Sequence, residues 1–218
     1  MPKRDSPPST PKPTLVVMVR HGQTSSTGTV LPGRAKGLDL ADAGRAQADA
    51  AARRIATLKN VTAVYASPLE RTRQTAAPIA KALGLRVRIA KGLLECEFGE
   101  WTGRKLAELN KLPEWKTVQS APSQFRFPGG ESFVEMQLRI VGQIEQLVAA
   151  HPGQTIVCVS HADPIKAAVA HYSGIHLDLF QRTVISPCSI TPVLLGMGTP
   201  VVLAVNSTGD DLSALAPS

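Results

Sequence analysis

The chain has 218 residues, 43% of them hydrophobic, with 24 Lys and Arg against 17 Asp and Glu for a net charge of +7, a composition that buries a sizeable core and excludes a wholly disordered chain. Such a charge suits nucleic acid, an acidic membrane surface or a small anion, but the basic residues are scattered and only two Trp, two Tyr and five Phe are available for base stacking, so no nucleic-acid partner is expected. No apolar run approaches the roughly 18–20 residues of a bilayer span, and Leu15 to Val19 is too short for a signal-peptide core; no membrane partner and a cytoplasmic location are therefore expected.

Residues 1–13, rich in Pro, Ser and charge, read as a disordered tail, and residues 207–218 as a loose one, leaving a folded domain over 14–206. TLVVMV, from Thr14 to Val19, is a short β-branched run and the first predicted strand. An Ala-rich helix follows over about 42–58, weakly capped because Ala41 precedes it. VTAVYA, Val61 to Ala66, is the second strand. Ser67-Pro68-Leu69-Glu70 then predicts a helix start, with Ser67 as N-cap, Pro68 at the first helical position and Glu70 three residues after the cap. That helix should end at Gly84 and kink at Pro78. From Glu131 the apolar positions recur at helical spacing and stop before His151-Pro152-Gly153. TIVCVS, Thr155 to Ser160, is the third strand, and Asp163-Pro164 opens a helix closed by Gly174. Ser189 to Leu195 and Pro200 to Val205 read as a late hairpin across Gly196-Met197-Gly198.

Strands without alternation point to a sheet covered on both faces. The expected fold is α/β, a three-layer α/β/α sandwich on a mostly parallel sheet. Ligands of such sheets bind at the carboxyl ends of the strands. There the first strand delivers Arg20, His21 and Gly22, the second leads to Arg71, and the third delivers Ser160 and His161. Two guanidinium forks and two imidazoles suit a phosphoryl group: Arg20 and Arg71 clamp its oxygens. A His21 kept neutral by surrounding cations attacks phosphorus. A carboxyl group beside phosphate has a raised pKa and can protonate the leaving group, a role open to Glu95, Glu97 or Glu100. Arg73 and the remaining histidines, His151, His171 and His176, read as structural or solvated. The three cysteines, Cys96, Cys158 and Cys188, are an odd number without Cys-x-x-Cys spacing and suggest neither disulfides nor a zinc site.

These residues resemble the histidine phosphatase superfamily, the group that includes the cofactor-dependent phosphoglycerate mutases. Arg20-His21-Gly22, SPLERTRQTA from Ser67 to Ala76, LLECEFGEWTG from Leu93 to Gly103, FPGGESF from Phe127 to Phe133 and VSHAD around His161 are similar to its motifs in order and spacing. The resemblance implies a phosphoglycerate mutase-like fold, His21 and His161 as catalytic histidines, Glu95 as proton donor, and no metal or cofactor. It also implies phosphate binding by Arg20, Arg71, Gly22 and Ala162. Thr27 stands where many members carry a phosphate-contacting Asn, and a Thr hydroxyl can take that role. Gly33-Arg34 is read as loop positioning.

The implied activity is a metal-independent phosphomonoesterase working through phosphohistidine on a small phosphorylated substrate. The Phe-Gly-x-Trp sequence after the acid favours this phosphatase branch over a mutase-type phosphotransferase, and the presence of every core catalytic residue favours it over a non-catalytic phospholigand binder. The resemblance places residues 97–130 over the active site as the segment that sets specificity; it mixes Lys105, Lys111, Lys116 and Arg126 with Trp101, Trp115 and Phe125 and implies no single ligand. A homo-oligomer is left open.

Overall fold

The computed structural model describes residues 12–196 and 198–209. In chain order they form β1 (Thr14–Arg20), α1 (Asp42–Ile55), β2 (Val61–Ala66), α2 (Glu70–Ala82), β3 (Val87–Ile89), α3 (Leu106–Leu109), α4 (Pro113–Ser120), α5 (Phe133–Ala150), β4 (Thr155–Ser160), α6 (Ala162–Tyr172), β5 (Ile190–Leu195) and β6 (Val201–Val202). One sheet holds all six strands in the order β3-β2-β4-β1-β5-β6. β1, β2, β3 and β4 are mutually parallel, while β5 lies antiparallel to both β1 and β6.

Both faces of the sheet are dry. Leu15, Val17 and Val19 of β1 pack with Ala48, Ala51, Ile55, Ala76 and Ile79 from α1 and α2. Val16 and Met18 point the other way and meet Ile140, Ile144, Ile165 and Ala168 from α5 and α6. This is the α/β/α sandwich expected from strands that are hydrophobic at every position. Each such side chain, fully buried, contributes roughly 1.5–3 kcal/mol.

Several local expectations need correction. α2 begins at Glu70, because Leu69 is extended (φ −72°, ψ 147°) and occupies the cap position without a side-chain hydrogen bond. Ser67 is therefore not the N-cap. α6 starts at Ala162, with His161 in the cap position. β3, three residues long and partly exposed, has too short a pattern to be predicted. At α5, Ser132 and Glu135 close a reciprocal capping box. The loose C-terminal tail does not begin at Ser207: its backbone pairs with Ile190 in both directions, and Arg54 donates to its carbonyl and hydroxyl oxygens. Residues 1–11 of the predicted N-terminal tail, Met197 of the hairpin turn and residues 210–218 lie outside the described residues.

Residues 97–130 fold as α3, α4 and short 3₁₀ turns over a third apolar cluster. Within it Phe98, Trp101, Phe125, Phe127 and Phe133 meet mostly edge-on, with ring centroids 4.8–5.4 Å apart. Trp101 and Phe125 are thus part of the core of this segment, and Trp115 stacks on Trp101. Lys105, Lys111, Lys116 and Arg126 are exposed and do not line the active-site cleft; Phe98 and Leu106 do.

Candidate active site

The sheet order places β2, β4 and β1 side by side, so the residues that follow them converge. His21 follows β1, Ser67 follows β2, and His161 follows β4. Their junctions are tied by backbone bonds, from the His21 N–H to the Ser160 carbonyl and from the Ser67 N–H to the Val159 carbonyl, each 3.0 Å. Gly22 makes a close crossing possible: a Cβ there would lie 2.5 Å from the Gly44 carbonyl oxygen, and one at Gly44 would lie 2.0 Å from that of Gln23. The Gly22 N–H donates to Thr75 Oγ1 (3.0 Å) and the Thr75 hydroxyl donates to the Arg71 carbonyl (2.8 Å), joining this loop to α2.

Arg20, His21, Thr27, Glu95 and Ala162 line a cleft of about 370 Å³. Gly22, Arg71 and His161 are buried behind it. Arg71 and His161 are 0% exposed, whereas Arg73 is exposed. The His21 and His161 rings meet edge-on at 5.2 Å, and His161 Nδ1 lies 3.9 Å from Glu95 Oε2. Arg71 Nη2 donates to the Gly33 carbonyl (2.7 Å) and Arg20 Nη1 to the Ile185 carbonyl (2.6 Å). The nitrogens Arg20 Nε, Arg71 Nε, Arg71 Nη1 and His161 Nδ1 are buried with no hydrogen-bond partner. Buried donors normally find acceptors, so three guanidinium N–H groups left over at one site suit an anion with several oxygens.

His21 Nδ1 lies 2.7 Å from the Gly22 carbonyl. A carbonyl only accepts, so Nδ1 carries the proton and the lone pair is left on Nε2. Burial, then Arg71 and Arg20, pull the His21 pKa down to about 3, and burial and Arg71 hold His161 well below the usual range. Both rings are neutral at pH 7. Glu95 moves the other way: burial and the nearby Asp163 carboxylate lift it to about 7, against the pull of Arg71 and a bond from the Cys96 N–H. A neutral imidazole and a carboxyl group with a raised pKa thus coexist because burial disfavours whichever form is charged.

Glu95 lines the cleft and neither Glu97 nor Glu100 does. Glu97 pairs with Arg34 at 3.1 Å, and Glu100 is exposed. The Glu95 carbonyl is gripped by Arg34 Nε (2.8 Å) and Arg139 Nη2 (3.2 Å), and both arginines pair with Glu131. Arg34 thus holds the Glu95 backbone; Arg139 carries no local motif, and Glu131, although inside FPGGESF, shows nothing in the sequence of its pairing with Arg34 and Arg139. Asp163 and Lys166, one turn apart on α6 and 3.3 Å from each other, also line the cleft. Thr27 Oγ1 accepts from the Thr24 N–H (2.9 Å) and lies 3.0 Å from the Thr24 hydroxyl. Its oxygen therefore shapes its own loop while facing the cleft. His151 is satisfied by Tyr65 and Gln154, and His171 and His176 are exposed.

Among the described residues no group of three or more His, Cys, Asp and Glu could hold a metal ion, and no helix is long and apolar enough to cross a membrane. Phosphoserine phosphatase 1 of Hydrogenobacter thermophilus is 30% identical over 198 residues, 88% of this chain and 92% of that protein. A mutant phosphoserine phosphatase from Entamoeba histolytica, solved with phosphoserine, superposes with a TM-score of 0.81 at 28% identity, covering 91% of this chain and all (100%) of that one. A mycobacterial glucosyl-3-phosphoglycerate phosphatase gives a TM-score of 0.81 at 25% identity, over 90% of this chain and 100% of that one. The sequence profile of the histidine phosphatase superfamily (branch 1) matches residues 16–208, and on that match, over a site of this geometry, the chain belongs to the histidine phosphatase superfamily.

Proposed function

We propose that this chain hydrolyses phosphomonoesters through a phosphohistidine on His21, with Glu95 as proton donor and without a metal or cofactor. One observation carries the reading: a neutral imidazole with its Nε2 lone pair free stands beside buried guanidinium N–H groups and a His161 Nδ1 that lack partners. A phosphoryl group held by Arg20, Arg71 and His161 meets that lone pair with its charge already compensated. Gly22, Thr27 and Ala162 border the same group. Nε2 forms the P–N bond as the ester P–O bond breaks, and the departing alkoxide takes the Glu95 proton. The Glu95 carboxylate then takes a proton from water as the water oxygen attacks phosphorus and the P–N bond breaks. Phosphate leaves and both residues return to their starting states.

The positive charge that a metal would supply is provided here by two arginines. Relatives named for phosphoserine and for glucosyl-3-phosphoglycerate support a small phosphorylated metabolite as substrate. Three unpaired, buried cysteines support a reducing, cytoplasmic setting. The test is phosphate release over a panel of phosphomonoesters, with 3-phosphoglycerate plus 2,3-bisphosphoglycerate as a mutase control. Rapid quenching with labelled substrate should trap an acid-labile, base-stable phosphoramidate. Label on Ser, Cys or Asp, or net mutase turnover without phosphate release, refutes the proposal.

A further inference from the structure

Ser67 was expected to cap a helix, and it does not. Its hydroxyl is fully buried and lies 3.0 Å from Nε2 of His161. Among the described residues the only other group bonded to that oxygen is the Leu69 N–H, at 3.5 Å. A backbone N–H can only donate, so it occupies an Oγ lone pair and offers the hydroxyl proton nothing. That proton has one acceptor in reach, the His161 ring nitrogen. If Nε2 were itself protonated it would donate to the Ser67 oxygen, and the Ser67 proton would be left without an acceptor in a dry site. The nearby Thr72 hydroxyl does not compete, because it donates to the Ser67 and Leu69 carbonyls. On the far side of the ring, Nδ1 is buried and unpartnered and faces the Glu95 carboxyl at 3.9 Å.

We infer that Ser67 is a positioning residue: its hydroxyl donates to Nε2 of His161 and so holds the ring proton on Nδ1, turning an N–H donor rather than a lone pair toward the phosphate site. In the opposite tautomer a lone pair would confront anionic phosphate oxygens, and one of the four buried donors of the site would be lost. The two catalytic-site histidines then carry the same tautomer for different purposes. The Gly22 carbonyl draws the His21 proton to Nδ1 and frees Nε2 to attack; Ser67 pushes the His161 proton to Nδ1 so that it can donate. The functional consequence rests on the phosphatase proposal, but the tautomer does not.

The test is ¹⁵N–¹H NMR of the full chain labelled at histidine, at pH 7.5, with His161 assigned by comparison with His161→Gln. The expected spectrum has a proton-bearing Nδ1 and a bare Nε2 on His161; a proton on Nε2 overturns the inference whether or not the protein hydrolyses any ester tried. Ser67→Ala should lose the single tautomer and lower kcat on the order of 100-fold, as for removal of one preorganised donor. Ser67→Thr, which keeps the hydroxyl, should keep the wild-type ring signals. A Ser67→Ala protein that retains the Nδ1–H form also refutes the role of the hydroxyl. Because wild type alone can decide the tautomer, failure of either variant to fold does not remove the test.

Discussion

Replacing Glu95 by glutamine removes a proton that the folded protein holds far more tightly than the unfolded chain does. Burial and Asp163 lift the carboxyl from 4.5 to about 7, so the folded pKa exceeds the unfolded one. The associated stability is fully present below about pH 4.5 and is lost as pH rises through 7, where a buried carboxylate must form. At about 1.36 kcal/mol per pH unit, the loss between pH 5 and pH 8 is roughly 2–3 kcal/mol. Glutamine has no proton to lose. Relative to wild type, Glu95→Gln should therefore gain roughly 2–3 kcal/mol between these pH values, about 5–10 °C in Tm for a chain of this size. Urea and thermal unfolding of both proteins at pH 5 and pH 8 measure it. His21 titrates in both proteins, with its contribution falling as pH drops below 6.5, and largely cancels in the difference. In kinetics the same substitution should slow alkyl esters far more than p-nitrophenyl phosphate, whose leaving group hardly needs a proton. A stability difference independent of pH would refute both the placement of Glu95 in a dry site and its role as a neutral acid.

His21→Ala should lower turnover by several orders of magnitude while phosphate still binds, seen by comparing single-turnover rates with inhibitor affinity. Arg71→Ala should cost on the order of 100- to 1,000-fold in kcat through loss of one electrostatic donor, and near-normal kcat would contradict the clamp. EDTA should leave phosphate release unchanged; a loss that magnesium or zinc reverses would contradict the charge role given to the arginines. Gly44→Ala, which on helix propensity alone gains about 1 kcal/mol, should instead destabilise by roughly 1–3 kcal/mol, because its Cβ falls 2.0 Å from the Gln23 carbonyl; denaturation midpoints decide the sign.

Much of the architecture was legible in one dimension because its signals are local. Uninterrupted β-branched runs such as Val61 to Ala66 betray strands buried on both faces, and the spacing of Phe133, Met136, Ile140 and Ile144 betrays one face of α5. The candidate residues His21, Arg71, Glu95 and His161 each sit beside a strand end or in a recurring motif, so the order of strands and motifs was enough to single them out. What the sequence could not reveal depends on groups distant along the chain. Ser67 carries an N-cap signature, yet its hydroxyl bonds His161, 94 positions away, and the carbonyl of Glu95 is fixed by Arg34 and Arg139, 61 and 44 positions away. The mixture of basic and aromatic residues over 97–130 did not say which of them face inward, because aromaticity carries no direction; packing buries Trp101 and Phe125. The pKa values of His21 and Glu95 belong to tertiary structure for the same reason, since desolvation and the field of Arg20, Arg71 and Asp163 exist only once the ends of β1, β2 and β4 are brought together.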